Sequence, residues 1–328
     1  MSGHEGGDPV KVIRAALYAN LAIALCKFVA AYLSHSTSTL AEAVHSFADT
    51  GNQALLFVGV RLAAKDDPRF MFGRAAERYF WPFLVALLLF SVGGLFAIHE
   101  GVTRALAPEA PDLTDFWSLR HGPLTSLVVL GVSTGLEGFS CTVALGEFRK
   151  GAHGKPFFQA ILSGKDPTIP LVLMEDISAL CGLSIALVAV VLTVVTRNGI
   201  FDAIGSIVIG VLLTAVAALI AKKTHSLLIG ERALPESERR ARELAEGTPG
   251  VLRVTQLLTM HLGPDFVILA IKVAFDPKLE LAAIEACINE LERRIRGELP
   301  EMKKIFVEPD SAGDRRGLGA EPDAPAPS

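Results

Sequence analysis

Charge of either sign is scarce in this chain and nearly balanced: 31 Lys and Arg stand against 35 Asp and Glu in 328 residues, a net charge of -4. With no basic face, nucleic acid is not an expected partner. Cysteine is sparse too. The four, at positions 26, 141, 181 and 287, make no C-x-x-C pair and read as single buried thiols rather than a disulfide frame or a thiolate metal site. Catalytic signatures are also missing. No G-x-x-x-x-G-K-S/T loop is present to cradle a nucleotide phosphate, which argues against an ATP-driven pump. His99-Glu100 opens like a zincin motif, but Thr103 stands where the second His is needed. No Ser/His/Asp or Cys/His set falls at one depth, so a membrane enzyme is the weakest functional reading. The opening "MSGHEGGDPVKVIR" has neither the apolar core nor the cleavage site of a signal peptide, so the first apolar stretch is expected to stay as a span. No internal repeat is visible.

What the chain has is apolar length. Hydrophobic residues make up 51% and mean hydropathy is +0.43, too apolar for an ordinary soluble domain. Six stretches, approximately 11–34, 38–62, 79–99, 122–147, 168–195 and 200–221, reach the roughly 20 residues that cross a bilayer core. The expected fold is therefore an all-α, six-helix transmembrane domain over 1–225, with both termini on one side. Positive charge picks the side. The 64–78 connection holds Lys65, Arg69, Arg74 and Arg78, and the 148–167 connection holds Arg149, Lys150, Lys155 and Lys165. The opposite connections hold only Arg104, Arg120 and Arg197. Both termini are expected in the cytoplasm, the lipid bilayer being a bacterial inner membrane.

After about residue 224 the pattern changes to a charged helix, two strands ("VLRVTQLLTMHL", "DFVILAIKVAF"), an amphipathic helix and a short strand ("MKKIFVEP"). That is a compact α+β module, expected over 226–310, with Leu281, Ile284, Ile288, Leu291 and Ile295 on the buried stripe of its second helix. The Pro-rich remainder, 311–328, is expected to be a disordered tail.

An ionisable group at the centre of a membrane helix costs roughly 2.5–3.5 kcal/mol, so each one in a span asks for an explanation. Lys27 reads as a snorkelling or helix-pairing residue. Asp202 reads as interfacial, Glu77 and Arg78 as a local pair, and His121 and His225 as solvated. Glu42, His45, Asp49 and Asn52 are different, because they recur at the three- and four-residue spacing of one helix face. Span five offers partners in "PLVLMEDISALCGL", which carries Glu175 and Asp176. At 1.5 Å per residue Asp49 lies about 16 Å below the outer edge and Asp176 about 18 Å, both near the midplane, with Glu137 of span four deeper at about 22 Å. One imidazole with two or three carboxylates suits a divalent cation: zinc or a similar borderline metal for the His, manganese or iron for the oxygens. The same groups take up protons, which a metal must displace to bind. Metal/proton exchange follows as the expected chemistry; a non-transporting membrane metal sensor or scaffold is the alternative.

"STLAEAVHSFADTGNQALLFVGVRLA" closely resembles the second transmembrane helix of the cation diffusion facilitator family, with its H-x-x-x-D pair. "NLAIALCKFVAAYLSHSTSTLAEAVHS" is similar to the family's first hairpin, "FGRAAERYFWPFLVALLLFSVGGLFAIHEGV" to its third span, and "GKDPTIPLVLMEDISALCGL", "FDAIGSIVIGVLL" and "FVEPD" to spans five, six and the end of the cytoplasmic domain. "RYFW", "LEG" and "LMEDISAL" look most like the subgroup holding the mitochondrial-type zinc exporters and their bacterial relatives. The resemblance implies a homodimeric exporter of zinc or a similar divalent ion, coupled to protons, with a ferredoxin-like cytoplasmic domain that helps dimerise. It implies no permanently bound cofactor. Carried across, His45 and Asp49 match the span-two ligands and Asp176 the span-five acid, with Glu175 auxiliary. Val172 stands where the family usually has His or Asp. The fourth ligand is then Glu175, Glu137 or none from the protein, and manganese, iron or cobalt stay open beside zinc. In the cytoplasmic domain His261 reads as a surface histidine near a turn, and no metal cluster is expected there.

Overall fold

The computed structural model describes residues 8–34, 37–107, 123–151, 154 and 156–310, and the chain divides into two compact units, Met1–Ile229 and Gly230–Ser328. His121 and the 311–328 tail lie outside the described residues. The first unit is helical throughout: α1 (Pro9–Ser34), α2 (Thr37–Ala63), α3 (Glu77–Leu88), α4 (Phe96–Leu106), α5 (Pro123–Gly151), α6 (Phe157–Ser163), α7 (Thr168–Thr196) and α8 (Ile200–Ile229). A π-helical turn, Leu89–Leu95, joins α3 to α4, so Glu77–Leu106 is one rod. Polar caps set several starts. Asp8 Oδ1 accepts from the backbone N–H of Val10 at 2.9 Å and of Lys11 at 3.2 Å, and Asp166 Oδ1 accepts from Thr168 N–H at 3.0 Å. α7 ends where Arg197 takes a left-handed φ of 54°, and Asn198 Oδ1 then accepts the Ile200 N–H that opens α8.

Contacts between rod ends fix their alternating direction. At one end, here the near end, Lys11 of α1 pairs with Glu147 of α5 at 2.7 Å, Arg78 of α3 pairs with Asp166 just before α7, and the Phe83 ring lies 6.1 Å from that of His225. At the far end Arg104 of α4 meets Asp202 of α8 at 2.7 Å. Glu77 accepts from Arg74 at 2.6 Å and from Trp81 at 2.7 Å, while Arg78 crosses to another helix.

Four segments among the described residues are long and apolar enough to span a membrane: Pro9–Val29, Glu77–Leu106, Thr168–Thr196 and Ile200–Ile229. α2 and α5 are comparably long, 27 and 29 residues, but fall outside that set. Against the six spans expected from the sequence, the described residues show four. On α2, Ser46, Thr50, Asn52 and Gln53 are all buried.

The Glu77–Leu106 rod packs on α8 through glycines. A Cβ at Gly210 would sit 2.8 Å from the Gly94 carbonyl oxygen and 2.6 Å from Ile98 Cγ1, and one at Gly101 would sit 2.8 Å from the Ala203 carbonyl oxygen. Small residues here let two backbones touch, as is usual between helices that lipid surrounds. The apolar core of this unit fills the near half, with Ile13, Leu56, Val85, Phe148, Val172 and Ala217 among its members.

The second unit runs α9 (Pro235–Glu246), β1 (Val251–Gly263), β2 (Phe266–Phe275), α10 (Leu281–Glu298) and β3 (Met302–Asp310). β2 is central, antiparallel to β1 and parallel to β3. The parallel pairing needs a crossover, which α10 supplies. Val267, Leu269, Ile271 and Val273 alternate onto the buried face and pack with Leu244, Leu291 and Ile295. Where β1 bulges, Val254 N–H donates to Glu246 Oε1 at 3.1 Å and its carbonyl accepts from Arg242 at 3.1 Å, so α9 side chains satisfy the interrupted ladder. Leu281 departs from the expected stripe: it opens α10 and is 83% exposed, and burial begins a turn later.

Candidate metal centre

The spacing along α2 that puts Asp49 on one face also puts Ser46 and Gln53 there. α5 supplies Ser133, Glu137 and Ser140 in the same way, and α7 supplies Glu175, Asp176 and Ser178. These faces meet around a cavity of about 280 Å³, lined by Asn20 and Lys27 of α1, Ser46 and Asp49, Ser133 and Glu137, and Glu175, Asp176 and Ser178. One water needs about 10–15 Å³ on this scale, so the cavity takes an ion with several of its waters. Ala186 of α7 and Ile209 of α8 continue the lining into the far half of the bundle, while the packed core closes the near half.

Hydrogen bonds hold two of the acids. Gln53 Nε2 donates to Glu175 Oε2 at 2.7 Å, and Ser140 Oγ donates to Asp176 Oδ2 at 2.8 Å. Glu175 and Asp176 are 8% and 1% exposed. Among the described residues, Glu175 Oε1 and Gln53 Oε1 are buried without a hydrogen-bond partner. Such orphans are uncommon in folded proteins and ask for a ligand, a proton or a water.

Asp49, Glu175 and Asp176 thus share one cavity, and Glu137 joins them. His45 lies in α2 one turn before Asp49; its side chain and that of Glu42 lie outside those described. Among the described residues no group of three or more His, Cys, Asp or Glu is set closely enough to hold a metal ion. Asn52 is buried beside Glu175 rather than on the lining. Val172 is fully buried in the apolar core, away from the cavity. Lys27 does not fit a purely snorkelling role, because it lines the cavity. Gln53 and Ser140 went unnoticed in the sequence, although Gln53 follows Asp49 by one turn and Ser140 follows Glu137 by three residues. In the second unit His261 is 5% exposed, its Nδ1 3.1 Å from the Gly263 carbonyl oxygen, so it is a buried hairpin residue rather than a surface one.

Residues 13–229 match the family model for the cation efflux transmembrane domain, and residues 234–312 match that for the cation efflux protein cytoplasmic domain. The chain is 31% identical over 296 residues to the mitochondrial proton-coupled zinc antiporter SLC30A9 of Xenopus laevis, covering 86% of this chain and 51% of that protein. The Homo sapiens protein of that name is 30% identical over 278 residues, covering 83% and 47%. Metal tolerance protein C4 of Arabidopsis thaliana is 34% identical over 231 residues, covering 70% and 48%. The chain spans about half the length of these curated relatives.

Proposed function

For a chain that belongs to the cation efflux family, the cation diffusion facilitators, and is an integral membrane protein, we propose proton-coupled export of a divalent transition metal from the cytoplasm by alternating access, with zinc the first cargo. The observation that carries the reading is the cavity that gathers Asp49, Glu137, Glu175 and Asp176 inside an apolar bundle, with one Glu175 oxygen unpartnered among the described residues. His45, Asp49 and Asp176 bind the ion; Glu175, held by Gln53, is the auxiliary oxygen. Oxygen-rich sites with one His are permissive, so manganese, iron and cobalt are alternative cargoes.

With the basic connections inside, the near end faces the cytoplasm, both termini lie there, and the membrane is a bacterial inner membrane. The conformation described is then the outward-facing one, closed below by the apolar core and by the Lys11–Glu147 and Arg78–Asp166 pairs. Facing inward, deprotonated carboxylates take metal from the cytoplasm; facing outward, protons displace it. Residues 1–225 do the transport. Residues 226–310 form a ferredoxin-like domain that joins two chains in a homodimer, and 311–328 is a disordered tail.

Asp49→Ala is expected to abolish metal uptake by vesicles while dimer and expression stay normal; undiminished uptake contradicts the assignment. A metal sensor or scaffold with the same polar face binds metal without moving protons, so metal-driven proton flux separates the two.

A further inference from the structure

We infer that Lys27 is a tethered counter-cation of the cavity, and that its ammonium makes the site select divalent over monovalent cations. This rests on the transport reading above and deepens it. Among the described residues, the lining sets four carboxylates, those of Asp49, Glu137, Glu175 and Asp176, against a single basic side chain, Lys27. Lys27 of α1 and Glu137 of α5 line the same cavity.

Carboxylates withdrawn from bulk water need compensating positive charge. Lysine suits the task, because its ammonium is a compact point charge on a flexible four-carbon stem and can move among several acceptors. Attachment to the chain makes it an intramolecular competitor, present at an effective concentration set by its tether rather than by the medium. A sodium or potassium ion brings the same single charge and gains no electrostatic advantage over it. A divalent ion brings twice the charge and displaces it. The displaced ammonium then repels the bound ion, which holds affinity down and favours release.

The test follows zinc binding to the purified full chain by calorimetry, with and without sodium or potassium, and zinc uptake by vesicles in parallel. Lys27→Gln and Lys27→Met are expected to bind zinc about tenfold more tightly, which corresponds to about 1.4 kcal/mol. They are expected to lower both KM and the maximal rate, and to make zinc binding sensitive to sodium and potassium. Lys27→Arg keeps native behaviour. The double variant Lys27→Gln/Glu137→Gln, which removes one charge of each sign, moves monovalent sensitivity back toward native. Unchanged zinc affinity with no monovalent competition in the folded single variants overturns the inference. If Lys27→Gln fails to fold, the double variant decides: recovery of folded protein supports the counter-charge role, and continued failure overturns it. Native protein that binds zinc without transporting it refutes the transport reading alone. Native transport with an unchanged Kd in Lys27→Gln refutes only the role of Lys27.

Discussion

Gln53→Leu tests whether Glu175 is held ready for an ion by its neighbour. Leu keeps roughly the volume of Gln53 but removes the amide that donates to Glu175 Oε2 at 2.7 Å. A hydrogen bond to a carboxylate that is ionised to hold a metal contributes about 1.5–3 kcal/mol. Two gains offset that in fold stability: the unpaired Gln53 Oε1 disappears, and a side chain that is 0% exposed becomes wholly apolar. The midpoint of thermal unfolding is therefore expected to move little. Metal affinity receives no such offset, since it reads only the orientation of Glu175. At about 1.4 kcal/mol per decade the loss is about ten- to 150-fold in zinc Kd, in line with the about 10–100-fold cost of removing groups that orient metal ligands. Calorimetric zinc binding on the purified protein, paired with a thermal melt, reads both quantities. Native zinc affinity in a variant that folds normally refutes the reasoning, because Gln53 then does not position an acid that binds the ion.

Gly210→Val puts a side chain where a Cβ already meets the Gly94 carbonyl oxygen at 2.8 Å, so it is expected to cost at least the about 1–3 kcal/mol of ordinary overpacking. Gly131→Ala, with nothing within 4 Å, is the control; equal melting points in the two contradict the packing account. In the connection between α2 and α3, the Arg69 guanidinium beside Asp67 holds its carboxyl below the ordinary 3.8. A depressed carboxyl stabilises above its unfolded value and stops doing so as pH falls through the folded one. Amide exchange over residues 66–74, corrected for intrinsic rate, is therefore expected to stay constant between about pH 8 and pH 5 and to rise only in stronger acid. Loosening of this connection already above about pH 5 refutes that ordering.

The polar face of α2 was legible because helix spacing is a property of one segment, and Asp49 with Asp176 fell at one depth because rise per residue is fixed. What spacing does not give is the neighbour across the gap. Arg78 was expected to pair with Glu77 next to it, yet it reaches Asp166, which only the packing of α3 beside α7 brings near. Its place in α1 leaves Lys27 between snorkelling and helix pairing, whereas in the fold it lines the cavity together with residues of α5 and α7. Val172 shows the same limit from the other side. One turn before Asp176, it reads as a gap in a ligand set, whereas in the fold it belongs to the apolar closure of the near half. The strands of the second unit were legible from β-branched runs with alternation. Leu281 was not, because the first turn of a helix can project past the core its stripe covers.

Coupling is the central claim, and one measurement meets it directly. Purified protein is reconstituted into vesicles with a pH-sensitive dye inside, and zinc is added to the side carrying the 230–310 unit. The account predicts that zinc entry drives proton movement in the opposite direction, that an imposed pH gradient accelerates zinc flux, and that Asp49→Ala removes both. Zinc flux that is indifferent to the pH gradient, or zinc binding with no flux of either ion, contradicts it.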